Sequence, residues 1–294
     1  MNKDKNNNDN LNYLNNLYNA YTGILYNNPT LCYGGGKIIY EFDLPQLKEL
    51  SSKYNIQNIA LGNTEFEKGL SLMRYFAPRL KHNPFYDNTI NCNSLDLLDF
   101  CFNTENGINC LNKSKILCEM LLSLNIKSRR VSIRPYSPYD MDNHVVCELF
   151  DTTFNKWIML DMSTNSYFIN KDFTPLSVKE IRNFMKNQLP VSVIFNNQSN
   201  ISFDDLFIKN LQTNVYFAKN LFFFSYDEYS TFGIKGKSLF CLPEHFDLKK
   251  YFSQNLKFRL DFALKNNMDK NFISSIKNRY YNLLNDSLIL ICPD

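Results

Sequence analysis

The sequence predicts an α+β fold. Three observations carry that expectation. Apolar residues recur at helical spacing in the first third of the chain, as in Phe66, Leu70, Met73, Ala77 and Leu80. After Ile126 the period falls to two, and IKSRRVSIR, HVVCELF and KWIML read as strands. Helical patterning returns after Ser177 and again over 247–288.

In order, residues 1–10 (MNKDKNNNDN) are polar and Asn-rich and are expected to be disordered. Residues 11–27 carry leucines and aromatics at helical spacing and predict a docking helix, the first part of a segment over 11–60 that packs on the core. Gly34–Gly36 lacks the GxxxxGK[ST] spacing of a phosphate loop and reads as a turn into the strand KIIYEF. LPQLKELSSKYN predicts a short amphipathic helix. Thr64-Glu65-Phe66-Glu67 is a capping box, opening a helix that runs to about Lys81–Pro84. SLDLLDFC is a further short helix. Asn106-Gly107 then turns the chain into Asn109, a good N-cap, with Cys110 at the first helical position.

Composition narrows the function classes. Apolar residues make up 44% and charged residues 21%, which suits a packed globule rather than a disordered chain. A net charge of +3 gives no footprint for nucleic acid or for a strongly acidic partner. No run approaches the ~18 apolar residues of a membrane span, and the N-terminus has no apolar core of a signal peptide. A cytoplasmic protein without membrane association is therefore expected, its eight cysteines free thiols. No CxxC occurs, so no structural zinc and no other metal or cofactor is expected. The oligomeric state is left open.

A thiol on the first turn of a helix is either a small buried hydrophobe or a nucleophile whose anion the helix terminus favours. The second role needs a base. Of three histidines, His144 stands out, because HVVCELF and KWIMLD flank a tight connection and predict an antiparallel hairpin. Pairing Phe150 with Asn155 places His144 opposite Asp161 and Glu148 opposite Trp157. Directly opposed Cβ atoms lie ~5 Å apart, so Asp161 could orient the imidazole. Elsewhere the residues read structurally. His82 is a helix-terminal or surface cation, and His245 also has a structural role. Cys118 and Cys147 are buried, inert thiols. Lys127, Arg129, Arg130 and Arg134 form a solvated strand face, the alternative being that Arg130 or Arg134 meets an anionic substrate. Trp157 and the aromatic run over 215–229 fill the core.

The stretch from Glu65 to Asn165 resembles the core of the transglutaminase-like superfamily, whose members are papain-like cysteine enzymes. The residues that carry the resemblance are Gly107-Ile108-Asn109-Cys110 opening a helix, LLSLNIKSRRVSI, Asn143-His144-Val145-Val146, and Lys156-Trp157-Ile158-Met159-Leu160-Asp161. It implies a papain-like, transglutaminase-like core over 61–170 and a C-terminal extension of unknown role over 171–294. It also implies a triad in which Cys110 attacks an acyl carbonyl, His144 moves the proton and Asp161 orients His144. The Cys110 backbone N–H would supply one oxyanion donor, with Asn91, Asn93 and Asn103 as candidates for the second. Leu111-Asn112-Lys113 departs from the aromatic or acidic residue that often follows the family's cysteine, which puts substrate specificity in doubt. The expected substrate is a peptide or a small amide or acyl compound. No amine-acceptor site is evident, which favours a hydrolase or protease. The alternatives are an acyltransferase or amide-forming enzyme, and a non-catalytic binding module on the same fold.

Overall fold

Strand Ser128–Arg134 lies inside a seven-stranded sheet in the computed structural model, which describes residues 2–32, 36–196, 202–285 and 289–290. One neighbour of this strand is His144–Asp151, followed by Lys156–Leu160. The other is Phe223–Asp227, followed by Ser238–Pro243 and Leu31–Cys32. These pairings are antiparallel, while Ile289–Leu290 pairs in parallel with Ser238–Pro243. The molecule is thus mixed α+β, and its sheet draws strands from both sides of the boundary expected at residue 170.

Strand alternation sends side chains to two faces, and both are covered. Cys147, Leu149, Ile158 and Leu160 pack with Leu117 and Leu121 of the helix Cys110–Leu122. Val131, Ile133, Val146 and Met159 face the other way, into a cluster with Phe168, Phe217 and Phe224. Two covered faces explain why HVVCELF is nearly continuous in apolar character.

The helix Cys110–Leu122 is buried from Asn112 to Leu122, so it is a central element rather than an amphipathic one. Of its three buried charges, Lys115 and Glu119 pair with each other at 2.9 Å. Glu119 also accepts the backbone N–H groups of Ser94 and Gly233, at 2.6 and 2.8 Å. The capping box forms as expected, with Thr64 and Glu67 bonded reciprocally. Its helix is Glu65–Phe76 and stops short of the expected end. A 3-10 turn, Ala77–Arg79, takes over at Pro78, which has no N–H to continue the ladder.

Other expectations are corrected. The first helix runs Asn2–Asn27, through the polar stretch expected to be disordered. Leu14, Thr22 and Leu25 are buried along it, and helix propagation from packed turns costs far less than nucleation. KIIYEF contributes only Ile39–Tyr40, paired in parallel with Tyr229–Ser230. The tail over 247–288 is two helices, Leu248–Lys265 and Lys270–Asn285, parted at Asn267, whose φ is 51°. The turn at Gly34–Gly36 falls mostly outside the described residues. Among the described residues, no helix is long and apolar enough to cross a membrane.

Candidate active site

Cys110 owes its position to a cluster of asparagines. Asn109 is the N-cap and accepts the Asn112 backbone N–H at 3.3 Å. The Asn109 amide donates to the carbonyl of Tyr86 and to Asn88 Oδ1, at 3.2 and 3.1 Å. The buried Asn112 amide also donates to Asn88 Oδ1, at 3.0 Å. Asn88 itself adopts a left-handed backbone, φ 60°, which asparagine tolerates better than most residues. The thiol is thereby held on the first turn, where backbone N–H groups lack intrahelical acceptors.

His144 opens its strand, and its Nε2 lies 2.8 Å from Oδ2 of Asp161. The two are not directly opposed, as the expected register had them. Phe150 pairs with Trp157, Glu148 with Met159 and Cys147 with Leu160, a slide of two residues. The slide arises because the four-residue turn is Thr152–Asn155, closed by Asn155 at φ 51° and by the Asp151 carboxylate, which accepts from Thr153 and Phe154 at 2.9 Å. A shift of two preserves the face of every side chain, so His144 and Asp161 still meet, diagonally.

Asp161 is fully buried and well satisfied. Besides His144 it accepts the Thr164 hydroxyl at 2.8 Å and the Ser163 N–H at 2.9 Å. Burial raises its carboxyl, but the His144 charge and these bonds outweigh it and lower the pKa. The counterpart holds for His144: burial works against the imidazolium, yet Asp161 and Cys110 raise its pKa well above the ordinary 6.5. Because Nε2 is engaged by Asp161, the other ring nitrogen is the one left for the thiol. Cys110 resists ionisation through burial, but the His144 hydrogen bond and charge and the Val145 N–H bring its pKa below the ordinary 9.0. The three expected residues are therefore together, and their electrostatics favour a thiolate–imidazolium pair.

Tyr216 and Phe217, on the helix Phe203–Asn220, pack edge-on against the His144 ring with centroids 5.5 and 5.8 Å away. The sequence offered only an aromatic run here. Nothing local in that run tied its rings to His144.

Several sequence expectations change. Asn91 and Asn93 spend their amides on Asp96, at 2.9 and 3.0 Å, and Asn93 caps the helix Ser94–Thr104. Asn103 lies exposed on that helix, lining a hollow of about 420 Å³ that none of the triad residues borders. Arg129 and Arg130 are not solvated. Both are buried, paired with Glu148 at 2.9 Å and with Asp227 at 2.5 Å. Arg129 also lies over the Trp157 ring, 3.7 Å from its centroid. His245 sits exposed in a turn. His82 is exposed, as expected of a surface residue; it bridges to Ile108 beside the site, where partial desolvation and the charges of Lys113 and His144 lower its pKa. Cys118 and Cys147 are buried, their sulfurs 3.1 Å apart. Comparison with protein-family models, curated proteins and solved structures returns no significant match to this chain.

Proposed function

We propose that the protein is a cysteine-dependent acyl-transfer enzyme with a papain-like core of transglutaminase type, acting on a peptide or a small amide or acyl substrate. The observation that carries this reading is the His144–Asp161 contact at 2.8 Å, with the other side of the ring turned to a thiol on a helix N-terminus.

The chemistry follows from the charges. The Cys110 thiolate attacks the carbonyl carbon, and the Cys110 backbone N–H is placed to bond the developing oxyanion. The C–N or C–O bond then breaks as the His144 imidazolium gives its proton to the leaving group, leaving a thioester. Neutral His144 next takes a proton from water, which attacks the thioester and releases the acid. Asp161 stays ionised throughout and holds the ring in place. Tyr216 and Phe217 screen the His144 ring from water, which strengthens its pairing with Asp161. Hydrolysis is favoured over transfer to an amine because no group among the described residues marks an acceptor site.

Brief exposure to p-nitrophenyl acetate followed by peptide mass spectrometry tests the reading. An acetyl thioester on Cys110 that forms and decays in the native protein, and fails to form in His144→Ala, supports it. Acetylation confined to surface lysines, with Cys110 untouched, overturns it.

A further inference from the structure

Most of the buried cations of the described structure are paired; Arg134 has a buried Nε without a hydrogen-bond partner but lies over the Phe252 ring, 5.3 Å from its centroid. Lys115 bonds Glu119 and the Thr231 carbonyl, at 2.9 and 2.6 Å. Arg129 and Arg130 have Glu148 and Asp227. Arg182 donates to the carbonyls of Leu221 and Asn28, at 3.0 and 2.6 Å. Lys113 is 2% exposed and makes no hydrogen bond or ion pair with the described residues.

Its place makes this stranger. Lys113 is the fourth residue of the helix Cys110–Leu122, one turn after the thiol, so the two side chains are neighbours on one face. That turn is the positive end of the helix dipole, where a cation is disfavoured. Covering an ammonium without a counter-charge is unfavourable. The Lys113 Nζ is not among the fully buried atoms that lack a partner, so it keeps a trace of solvent contact, and Asp161, the nearby carboxylate, already bonds His144, Thr164 and Ser163. Burial lowers the Lys113 pKa, and Asp161, Cys101 and Cys110 act against that shift, so the ammonium is felt by the triad without being bonded to it. A second basic group, His82, flanks the same place.

We propose that Lys113 is the recognition cation of this site, and that the substrate carries a carboxylate close to the scissile carbonyl. The carboxylate supplies the ion-pair partner that the fold withholds, so the cost of burying the ammonium is recovered only when the right substrate is bound. A single ammonium matches a single negative charge. The proposal rests on the acyl-enzyme reading above.

Two alkylating agents of nearly equal size separate the two ideas. Iodoacetamide is neutral and reports the activated thiol; iodoacetate carries a carboxylate beside the reacting carbon and reports the cation. At pH 6.5 the ratio of iodoacetate to iodoacetamide rates at Cys110 is expected to exceed that of glutathione by about tenfold, the scale of one charge-assisted contact. Lys113→Met, close in volume and better suited to burial, should bring the ratio down to that of glutathione. Lys113→Arg keeps the charge and should retain most of it. A native ratio equal to that of glutathione overturns the proposal without any variant having to fold, and so does a ratio that survives Lys113→Met. If Cys110 is unreactive even toward iodoacetamide, it is the acyl-enzyme reading that falls, and this proposal with it.

Discussion

Asn255 donates to the carbonyl oxygen of Pro138 at 2.6 Å, joining the C-terminal helix Leu248–Lys265 to the loop that delivers His144. The same amide reaches the Asp140 carbonyl, and Arg259 holds that of Met141 at 2.5 Å. Lys219 adds ion pairs to Asp140 and Asp142, at 3.0 and 2.8 Å. The segment expected to be an extension of unknown role thus anchors the approach to the candidate base. Asn255→Leu is expected to cost about 1–3 kcal/mol, because it strands the half-buried Pro138 and Asp140 carbonyls. Chemical denaturation measures that loss, and slower Cys110 alkylation in the still-folded variant would tie it to His144.

The pH profile of Cys110 alkylation should show its inflection below the ordinary thiol value of 9.0, ahead of the other cysteines. Asp161→Asn removes the charge that favours the imidazolium. The inflection should then move up by a unit or more, roughly a tenfold loss of rate near neutral pH. An unmoved profile would show that Asp161 does not act on the thiol through His144.

The His144–Asp161 pair also gives stability a pH window. The His144 pKa is raised on folding, so its contribution is full below the unfolded value of 6.5 and is lost as pH rises through the folded pKa. The Asp161 pKa is lowered, so its contribution is full above 3.8 and is lost as pH falls through the folded pKa. Thermal melts of the native protein and of His144→Gln should therefore differ most between those values, and converge toward strong acid and strong base.

Glu148 accepts from Arg129 at 2.9 Å and caps the helix Val178–Lys186 through the Val178 N–H at 2.8 Å. Glu148→Gln removes the carboxylate charge that faces the buried Arg129 guanidinium. A loss of about 3–5 kcal/mol in urea unfolding is expected, as for other broken buried pairs. A change below ~1 kcal/mol would mean that the remaining contacts of Arg129, the Trp157 and Tyr226 rings among them, suffice for it.

Asn109→Ala removes the N-cap acceptor and the bonds to Tyr86 and Asn88 together. About 1–2 kcal/mol of stability should go, at the upper end for a cap. Asn112 still holds Asn88, so the fold should survive, while Cys110 reactivity falls through misplacement of the first turn.

The local signals were legible where chemistry is local. Thr64, Ser177 and Asn109 announced their caps, and Cys110 its place on the first turn, because capping needs only four consecutive residues. The period of two placed the hairpin strands. Its register slipped because turn length trades against strand length, and only the Asp151 carboxylate bonds settle where the turn begins. The contact between His144 and Asp161 survived that slip because the error was even. Partners far along the chain were not legible. Arg130 looked like part of a wet face because its partner Asp227 lies almost a hundred residues away. Tyr216 and Phe217 looked like filler for the same reason.

The order of strands in the sheet has a consequence for synthesis. Ser128–Arg134 sits between His144–Asp151 and Phe223–Asp227, and Ser238–Pro243 in turn receives Leu31–Cys32. A chain emerging from the ribosome presents Cys110, His144 and Asp161 well before Tyr216, Lys219 and Asn255 exist to enclose and steady the imidazole. At ~5–20 residues per second, that interval lasts several seconds. Through it the Cys110 thiol has neither the enclosed His144 ring beside it nor a finished sheet, so the arrangement around Cys110 is completed only as the last third of the chain arrives.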